Sequence, residues 1–389
     1  MAAYRGVRFL ALTAVVALAL VAGCTASGDQ SDAPEGDATQ ELHTAVQALV
    51  DHPNGPPGVI VVVQRGSERQ VVSAGVADLE NDARPGPDLH MRIASTAKAY
   101  SGGVALSLVD DGVLALDDSI GDRLPWAPAS WSRVTLAQAL HHTSGLPDFT
   151  ADPQFQEYVG RHLDQPLPPR QVLGFVTDEP LEFTPDSDYR YSNTDNVVVA
   201  LMAEAAAGRR YEQLLGQQVA EPLGLESTSL PKGVRMPSPF MHGYQREDDG
   251  TEADVSEVFA AGWAWASGGI ISTPSDQNRF IRGYIGGELF GGDVQRRQFD
   301  WTPGGRSEPP GPGANSAGLA VFRYRTGCGT VYGHTGNIGG YTQFFAASAD
   351  GRRSAVVSTN RQVTPQSSPV VFRRLREVFR HAVCAAYAD

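Results

Sequence analysis

The spacing of hydrophobic positions changes along the chain and divides it into regions. Val59-Ile60-Val61-Val62-Val63 is an unbroken run rich in β-branched residues, which predicts a strand. Arg65-Gly66-Ser67 supplies a turn and Arg69 to Ala77 a second strand, giving an N-terminal hairpin. A loop carrying Pro85-Gly86-Pro87 follows. From Thr96 to Asp111 the apolar positions Ala97, Tyr100, Val104 and Leu108 recur at helical spacing. They predict a helix opened by Ser95 and stopped by Gly112. Gly102-Gly103 lowers its propensity but permits close packing. From about Leu114 to Gln245 helix and loop signals dominate, and Val197 to Gly208 reads as a buried helix with a glycine stop. Trp263 to Thr273 re-enters the core, and residues 302–313 form a Pro/Gly loop. Strand signals return at Leu319 to Arg325, Tyr341 to Ser348 and Ser354 to Thr359, with Ala349-Asp350-Gly351 as a turn. Val370 to Ala386 reads as a closing helix. Strands at both ends around a mainly helical insertion predict an α+β fold, with an antiparallel sheet assembled from both termini and flanked by helices.

Composition changes the picture at the N-terminus. Arg5 and Arg8 precede an apolar stretch, Phe9 to Gly23, that is short for a membrane span and suited to a secretory signal. Leu20-Val21-Ala22-Gly23-Cys24 resembles the bacterial lipobox. That resemblance implies a signal peptide over 1–23 and a lipid on Cys24. Thr25 to Gln40 is small and polar, so 24–40 is expected to be a lipidated, flexible tether. The folded domain is then expected over 41–388, with a mostly helical subdomain at about 114–245. The expected location is the outer face of a bacterial cell membrane. A formal charge of −13 without a basic stripe excludes nucleic acid as the expected partner. The remaining cysteines, Cys328 and Cys384, would form a disulfide outside the cytosol. The closed loop of about 57 residues is worth about 4 kcal/mol in the loop-entropy treatment and ties the last helix to the strands before it.

Candidate chemistry begins with a choice of cation. Lys98 and Lys232 are the only lysines among 31 basic residues. A surface charge is served equally by arginine, but only a lysine amine can be made neutral to move a proton. Ser95 lies three residues before Lys98, one turn away on a helix. A helix start supplies free N–H groups and positive potential beside an attacked carbonyl, and a neutral Lys98 could take the Ser95 proton. The G-x-S-x-G signature of α/β-hydrolases is absent from the sequence. Tyr191-Ser192-Asn193 and Gly333-His334-Thr335-Gly336 follow further along the chain.

In this order, these stretches resemble the Ser-x-x-Lys, Tyr-x-Asn and His/Lys-Thr-Gly motifs of the penicillin-recognising serine hydrolases. "HHTSGLPDF" (His141 to Phe149), "WAWASGGIIS" (Trp263 to Ser272), "CGTVYGHTGNIGGY" (Cys328 to Tyr341) and Cys384 bring it nearest to the actinomycete-type secreted D-alanyl-D-alanine carboxypeptidases. The resemblance runs from about Thr44 to Ala385. It implies Ser95 as acylated nucleophile, with Lys98 and Tyr191 as the proton-transfer pair, either of which could be the base. Asn193 would hold Lys98 and a substrate amide. His334, Thr335 and Gly336 would form the strand flanking the cleft. The backbone N–H groups of Ser95 and Asn337 would make the oxyanion hole, and Trp263 would line the pocket. Two positions depart from the carboxypeptidase pattern. Asn337 replaces a hydroxyl residue, and Phe322 replaces a carboxylate-binding Arg. Arg323 is adjacent, but on a strand it points to the opposite face.

The leading expectation is thus a monomeric, lipid-anchored D-Ala-D-Ala carboxypeptidase acting on peptidoglycan stem peptides and acylated by penicillin. An esterase or D-aminopeptidase of the same fold, a class C-like β-lactamase, and a non-catalytic cell-wall binding lipoprotein stay open. The substrate would be a small peptide, ester or β-lactam. No cofactor is implied, because side chains and water suffice for an acyl-enzyme. His141-His142 lacks a Cys or carboxylate at ligand spacing and reads as structural rather than as a metal site.

Overall fold

Residues 35–302 and 305–388 are described by a computed structural model. The signal segment, Cys24 and most of the tether lie outside the described residues. Seven strands form one antiparallel sheet: β1 (Gly58–Arg65), β2 (Glu68–Gly75), β3 (Ala314–Gly318), β4 (Val321–Thr326), β5 (Gly329–Ile338), β6 (Tyr341–Ala347) and β7 (Arg353–Thr359). Their spatial order is β2-β1-β7-β6-β5-β4-β3. The N-terminal hairpin therefore docks onto the last strand, with Val59 opposite Thr359 and Arg65 opposite Arg353. The sheet built from both chain ends is as the sequence predicts.

The unbroken apolar run of β1 follows from helices on both faces of the sheet. Val59, Val61 and Val63 enter one core, with Leu42, Val46 and Leu49 of α1 (Glu35–Val50) and Leu375 and Phe379 of the closing helix. Ile60 and Val62 alternate into the other core, with Ala97 to Leu108 of α2 (Ala97–Asp110) and Phe280 and Tyr284 of a further helix. Each fully buried valine or isoleucine contributes about 1.5–3 kcal/mol. The further helices are α3 (Asn193–Ala207), α4 (Pro274–Gly286) and α5 (Pro369–Tyr387). Between α2 and α3 the chain is helical and irregular, as expected of the insertion.

Helix α1 begins at Glu35 rather than after Gln40. Its Leu42, Val46 and Leu49 are buried at spacings of four and three residues, and this stripe against α5 propagates helix back through polar residues that a composition reading assigns to the tether. Helix α4 carries clear start signals, with Thr273 Oγ1 accepting from Asp276 N at 3.1 Å and Pro274 in the first turn. Helix α3 starts at Asn193, four residues before the predicted Val197, and Ser192 is the residue flanking it.

Three features position the site. The whole of α2 from Ala97 to Leu108 is buried, and Gly102 lets it approach the sheet, where a Cβ would stand 2.3 Å from that of Ala320. Strand β5 pairs with β4 only as far as Gly333, opposite Phe322. Residues 334–338 therefore keep β6 on one side and leave the other edge facing the start of α2. Finally, Cys328 and Cys384 are joined, with Cα atoms 5.1 Å apart. The bond ties the β4–β5 turn to the last turns of α5.

Candidate active site

The nucleophile candidate sits on a single 3₁₀ turn, Ala94–Thr96, that runs into α2. From Met91 to Tyr100 every residue is buried except Ser95. Ala94 lies in the left-handed region with φ of +52°, a conformation that costs a non-glycine residue about 1–2 kcal/mol. The strained residue thus immediately precedes the one side chain presented to solvent. Gly336 lies directly opposite: a Cβ there would stand 2.6 Å from Ile93 O and 3.0 Å from the Ser95 and Thr96 nitrogens. Only a residue without a side chain lets β5 come this close to the turn.

Lys98 Nζ is fully buried and touches three groups. It lies 2.7 Å from Asn193 Oδ1, 2.8 Å from the Ser267 carbonyl oxygen and 3.2 Å from Ser95 Oγ. The first two can only accept, so each takes an N–H. Asn193 is fixed in this orientation, because its Nδ2 donates to Asp148 Oδ2 at 3.0 Å and Thr150 Oγ1 at 3.1 Å. Burial lowers the Lys98 pKa to about 7, against the opposing pull of Asp148, Asp195 and Glu308. A neutral amine with two N–H bonds committed directs its lone pair at the remaining neighbour, Ser95.

Tyr191 packs beside this pair. Its ring lies under Lys98 Nζ at 4.9 Å, with His142 at 4.6 Å and His334 at 6.2 Å between ring centroids. Among the described residues its buried hydroxyl has no hydrogen-bond partner. Burial raises its pKa well above the usual phenol value, although the nearby Ser95 hydroxyl works the other way. Both flanking histidines are pushed toward the neutral form, chiefly by burial and then by the Lys98 charge, His142 to about 3. His142 Nδ1 lies 2.8 Å from Asp195 Oδ2, and Ser144 Oγ donates to Asp195 Oδ1 at 2.5 Å. Burial raises Asp195 as well, with the Ser144 hydrogen bond opposing the shift.

A cavity of about 440 Å³ opens above Ser95 and is lined by Tyr191, Asn193, Asn337 and the loop residues Arg306 and Glu308, among others. The expected gathering of Ser95, Lys98, Tyr191, Asn193, Gly336 and Asn337 is present. Other expected residues stand elsewhere. Trp263 is outside the cavity lining, and its indole packs edge to face on Phe155 at 5.5 Å. The His334 side chain is buried behind Tyr191, with Nδ1 2.6 Å from the Thr335 carbonyl oxygen. Thr335 Oγ1 donates to Pro309 O at 2.5 Å and so holds a loop rather than lining the cavity. The Asn193 amide nitrogen is fully engaged by Asp148 and Thr150, which leaves it no free N–H for a substrate amide. As expected, Phe322 and Arg323 point to opposite faces: Phe322 packs on His334, and Arg323 lies over Trp301.

Several neighbours carry no signal of their own in the sequence. Asp148 and Thr150, at the start of a 3₁₀ turn, and Ser267, on a short helix and through its backbone, hold the Asn193–Lys98 pair; the quoted stretches contain Asp148 and Ser267 but give neither a role. The loop at 302–313 reads only as Pro and Gly, yet it brings Arg306 and Glu308 to the cavity. Among the described residues no cluster of side chains suited to a metal ion is present.

A sequence profile described as Beta-lactamase matches residues 44–379. The chain belongs to the beta-lactamase family. It has the α+β fold of that family. The D-alanyl-D-alanine-carboxypeptidase/endopeptidase AmpH of Escherichia coli K12 is 28% identical over 247 residues, 61% of this chain and 60% of its own. Protein flp of Staphylococcus aureus MRSA252 is 22% identical over 251 residues, 63% of this chain and 48% of its own. The match thus spans about half to three-fifths of these curated relatives. Among solved structures, the D-stereospecific amidohydrolase from Streptomyces sp. has a TM-score of 0.75 at 26% identity, covering 87% of this beta-lactamase-family chain and 98% of the other. The D-amino acid amidase from Ochrobactrum anthropi SV3, complexed with D-phenylalanine, has a TM-score of 0.77 at 23% identity, covering 89% and 98%. That last likeness concerns the fold alone.

Proposed function

We propose that this chain is an acyl-enzyme hydrolase of small peptides or amides containing a D-residue, with Ser95 as nucleophile and Lys98 as its base. The observation that carries the proposal is the hydrogen-bond set of Lys98, which commits two N–H groups and turns the lone pair toward Ser95. The Ser95 proton passes to Lys98 as Oγ bonds to the substrate carbonyl carbon. The backbone N–H groups of Ser95 and Asn337 take the oxyanion. Tyr191, kept protonated by burial, gives its proton to the leaving nitrogen and is restored from Lys98. Water then attacks the ester by the reverse route, releasing the acid and free Ser95.

D-Ala-D-Ala carboxypeptidase activity is one form of this reading, supported by the similarity to AmpH. Arg306 lines the cavity and offers a guanidinium for a terminal carboxylate where the strand has Phe322. Amide hydrolysis is the second form, supported by the similarity to the Streptomyces amidohydrolase. Intact mass measurement after incubation with benzylpenicillin tests the shared mechanism. A covalent adduct on the wild type that is absent from Ser95→Ala is the expected result. An adduct on both, or a Ser95→Ala protein that still cleaves peptide and ester substrates, would overturn it.

A further inference from the structure

The cavity wall opposite the catalytic groups carries a carboxylate that the mechanism above does not use. Glu308 lines the same cavity as Ser95, Tyr191 and Asn193. Among the described residues its carboxylate makes no hydrogen bond and no ion pair. The segment that bears it is nevertheless fixed at several points. Tyr189 Oη donates to Arg306 O at 2.7 Å, and Thr335 Oγ1 donates to Pro309 O at 2.5 Å. Ser307 N donates to Asn315 Oδ1 at 3.2 Å, Gly311 N to Ser307 Oγ at 3.0 Å, and Arg376 Nε to Gly311 O at 2.9 Å. Pro309 and Pro310 stiffen the segment further. Glu308 is thus an unpaired acid on a braced loop, aimed at the space a substrate must fill.

The charges around it are ordered. Glu308 acts on both Lys98 and Tyr191, whereas Arg306 acts on Glu308. Both residues line the same cavity as Ser95. Removal from water raises the Glu308 pKa, with Arg306 opposing and Asp148 reinforcing the shift. A carboxylate that lines the cavity without a protein partner can gain a charge-assisted hydrogen bond from a bound cation.

Resting on the acyl-enzyme reading of Ser95, we propose that Glu308 determines specificity by binding the free α-ammonium of the residue whose carbonyl Ser95 attacks. The preferred substrates are then amides, esters or short peptides with an unblocked D-amino acid at that position, rather than N-acylated stem peptides. An acylated nitrogen has no charge to offer and leaves Glu308 without a cationic partner. The chemistry at Ser95 is unchanged; only the acyl group it accepts is selected.

The test compares D-phenylalanine p-nitroanilide with its N-acetyl derivative, using wild type and Glu308→Gln. The wild type is expected to favour the free amine by tenfold or more in kcat/KM, through KM. Glu308→Gln should bring that ratio toward one. In the wild type the preference should fall as pH rises through about 8, where an α-ammonium loses its proton. A wild type that cleaves both equally, prefers the acetylated compound or cleaves neither would overturn the proposal, as would a ratio that survives Glu308→Gln. The acyl-enzyme reading fails separately, through a Ser95→Ala protein that keeps its turnover.

Discussion

Lys98 is where residue chemistry and pH meet. With its pKa lowered by burial from 10.5 to about 7, the neutral base is about half populated at pH 7 and about a tenth at pH 6. kcat/KM for an uncharged ester is therefore expected to rise about tenfold from pH 6 to pH 8, as a steady-state profile would show. An unchanged rate across that range would rule out Lys98 as the resting base. Lys98→Arg keeps a cation but cannot release a proton, so it should lose at least 10³-fold in kcat while keeping its circular dichroism spectrum. The same shift has a stability consequence. Between the folded value and the ordinary lysine value the unfolded chain binds a proton that the folded chain does not, so this group makes the fold more stable as pH rises across that window. The acid–base pair is legible from sequence because lysine is rare here and the helix period places Ser95 one turn away. The supports of the pair are not. Asp148 and Thr150 reach Asn193 from one 3₁₀ turn and the Ser267 carbonyl reaches Lys98 from a short helix far along the chain, and no local period encodes that approach. Glu308 is hidden for a related reason: in a loop of prolines and glycines a single acid carries no pattern.

At the scale of elements the site is a close approach of strand β5 to the turn that opens α2. Gly336 sets that distance, since a Cβ would meet the Ile93 carbonyl and the Ser95 and Thr96 nitrogens at 2.6–3.0 Å. Backbone cannot yield as a flexible side chain does. Gly336→Ala is therefore expected to cost about 1–3 kcal/mol and to slow acylation of Ser95 far more than it lowers the melting temperature. Denaturant unfolding beside stopped-flow acylation would separate the two effects. A variant with normal acylation would show that the approach is not needed. Elements with a strong period, such as β1 and α2, stand where the hydrophobic pattern puts them. Those that differ do so through packing at a distance. Helix α1 extends into a polar stretch because Leu42, Val46 and Leu49 dock on α5, more than 300 residues along the chain. Trp263 lies in a segment that reads correctly as core, and its indole turns to Phe155 rather than to the cavity because aromatic contacts with the insertion are available there.

At the scale of the molecule, the disulfide and the sheet order both join distant parts of the chain. The Cys328–Cys384 bond lies beyond the β4 end of β5, about 30 Å along the strand from Asn337 at the usual rise per residue. Removing it through Cys328→Ala with Cys384→Ala is expected to cost about 2–4 kcal/mol in denaturant unfolding and to leave kcat for an ester substrate within about twofold at 25 °C. A larger loss of kcat would mean that the bond also positions the site. The sheet order has a consequence in time. Val59 finds its partner Thr359 only after the intervening chain has been made. At about 5–20 residues per second that is a wait of roughly 15–60 s. Until then β1 and β2 are a lone hairpin, marginal in water, and α1 has no α5 to dock on. The last strand and helix act as a timer set by synthesis itself: any passage the chain must make while unfolded can be completed before its sheet is able to close.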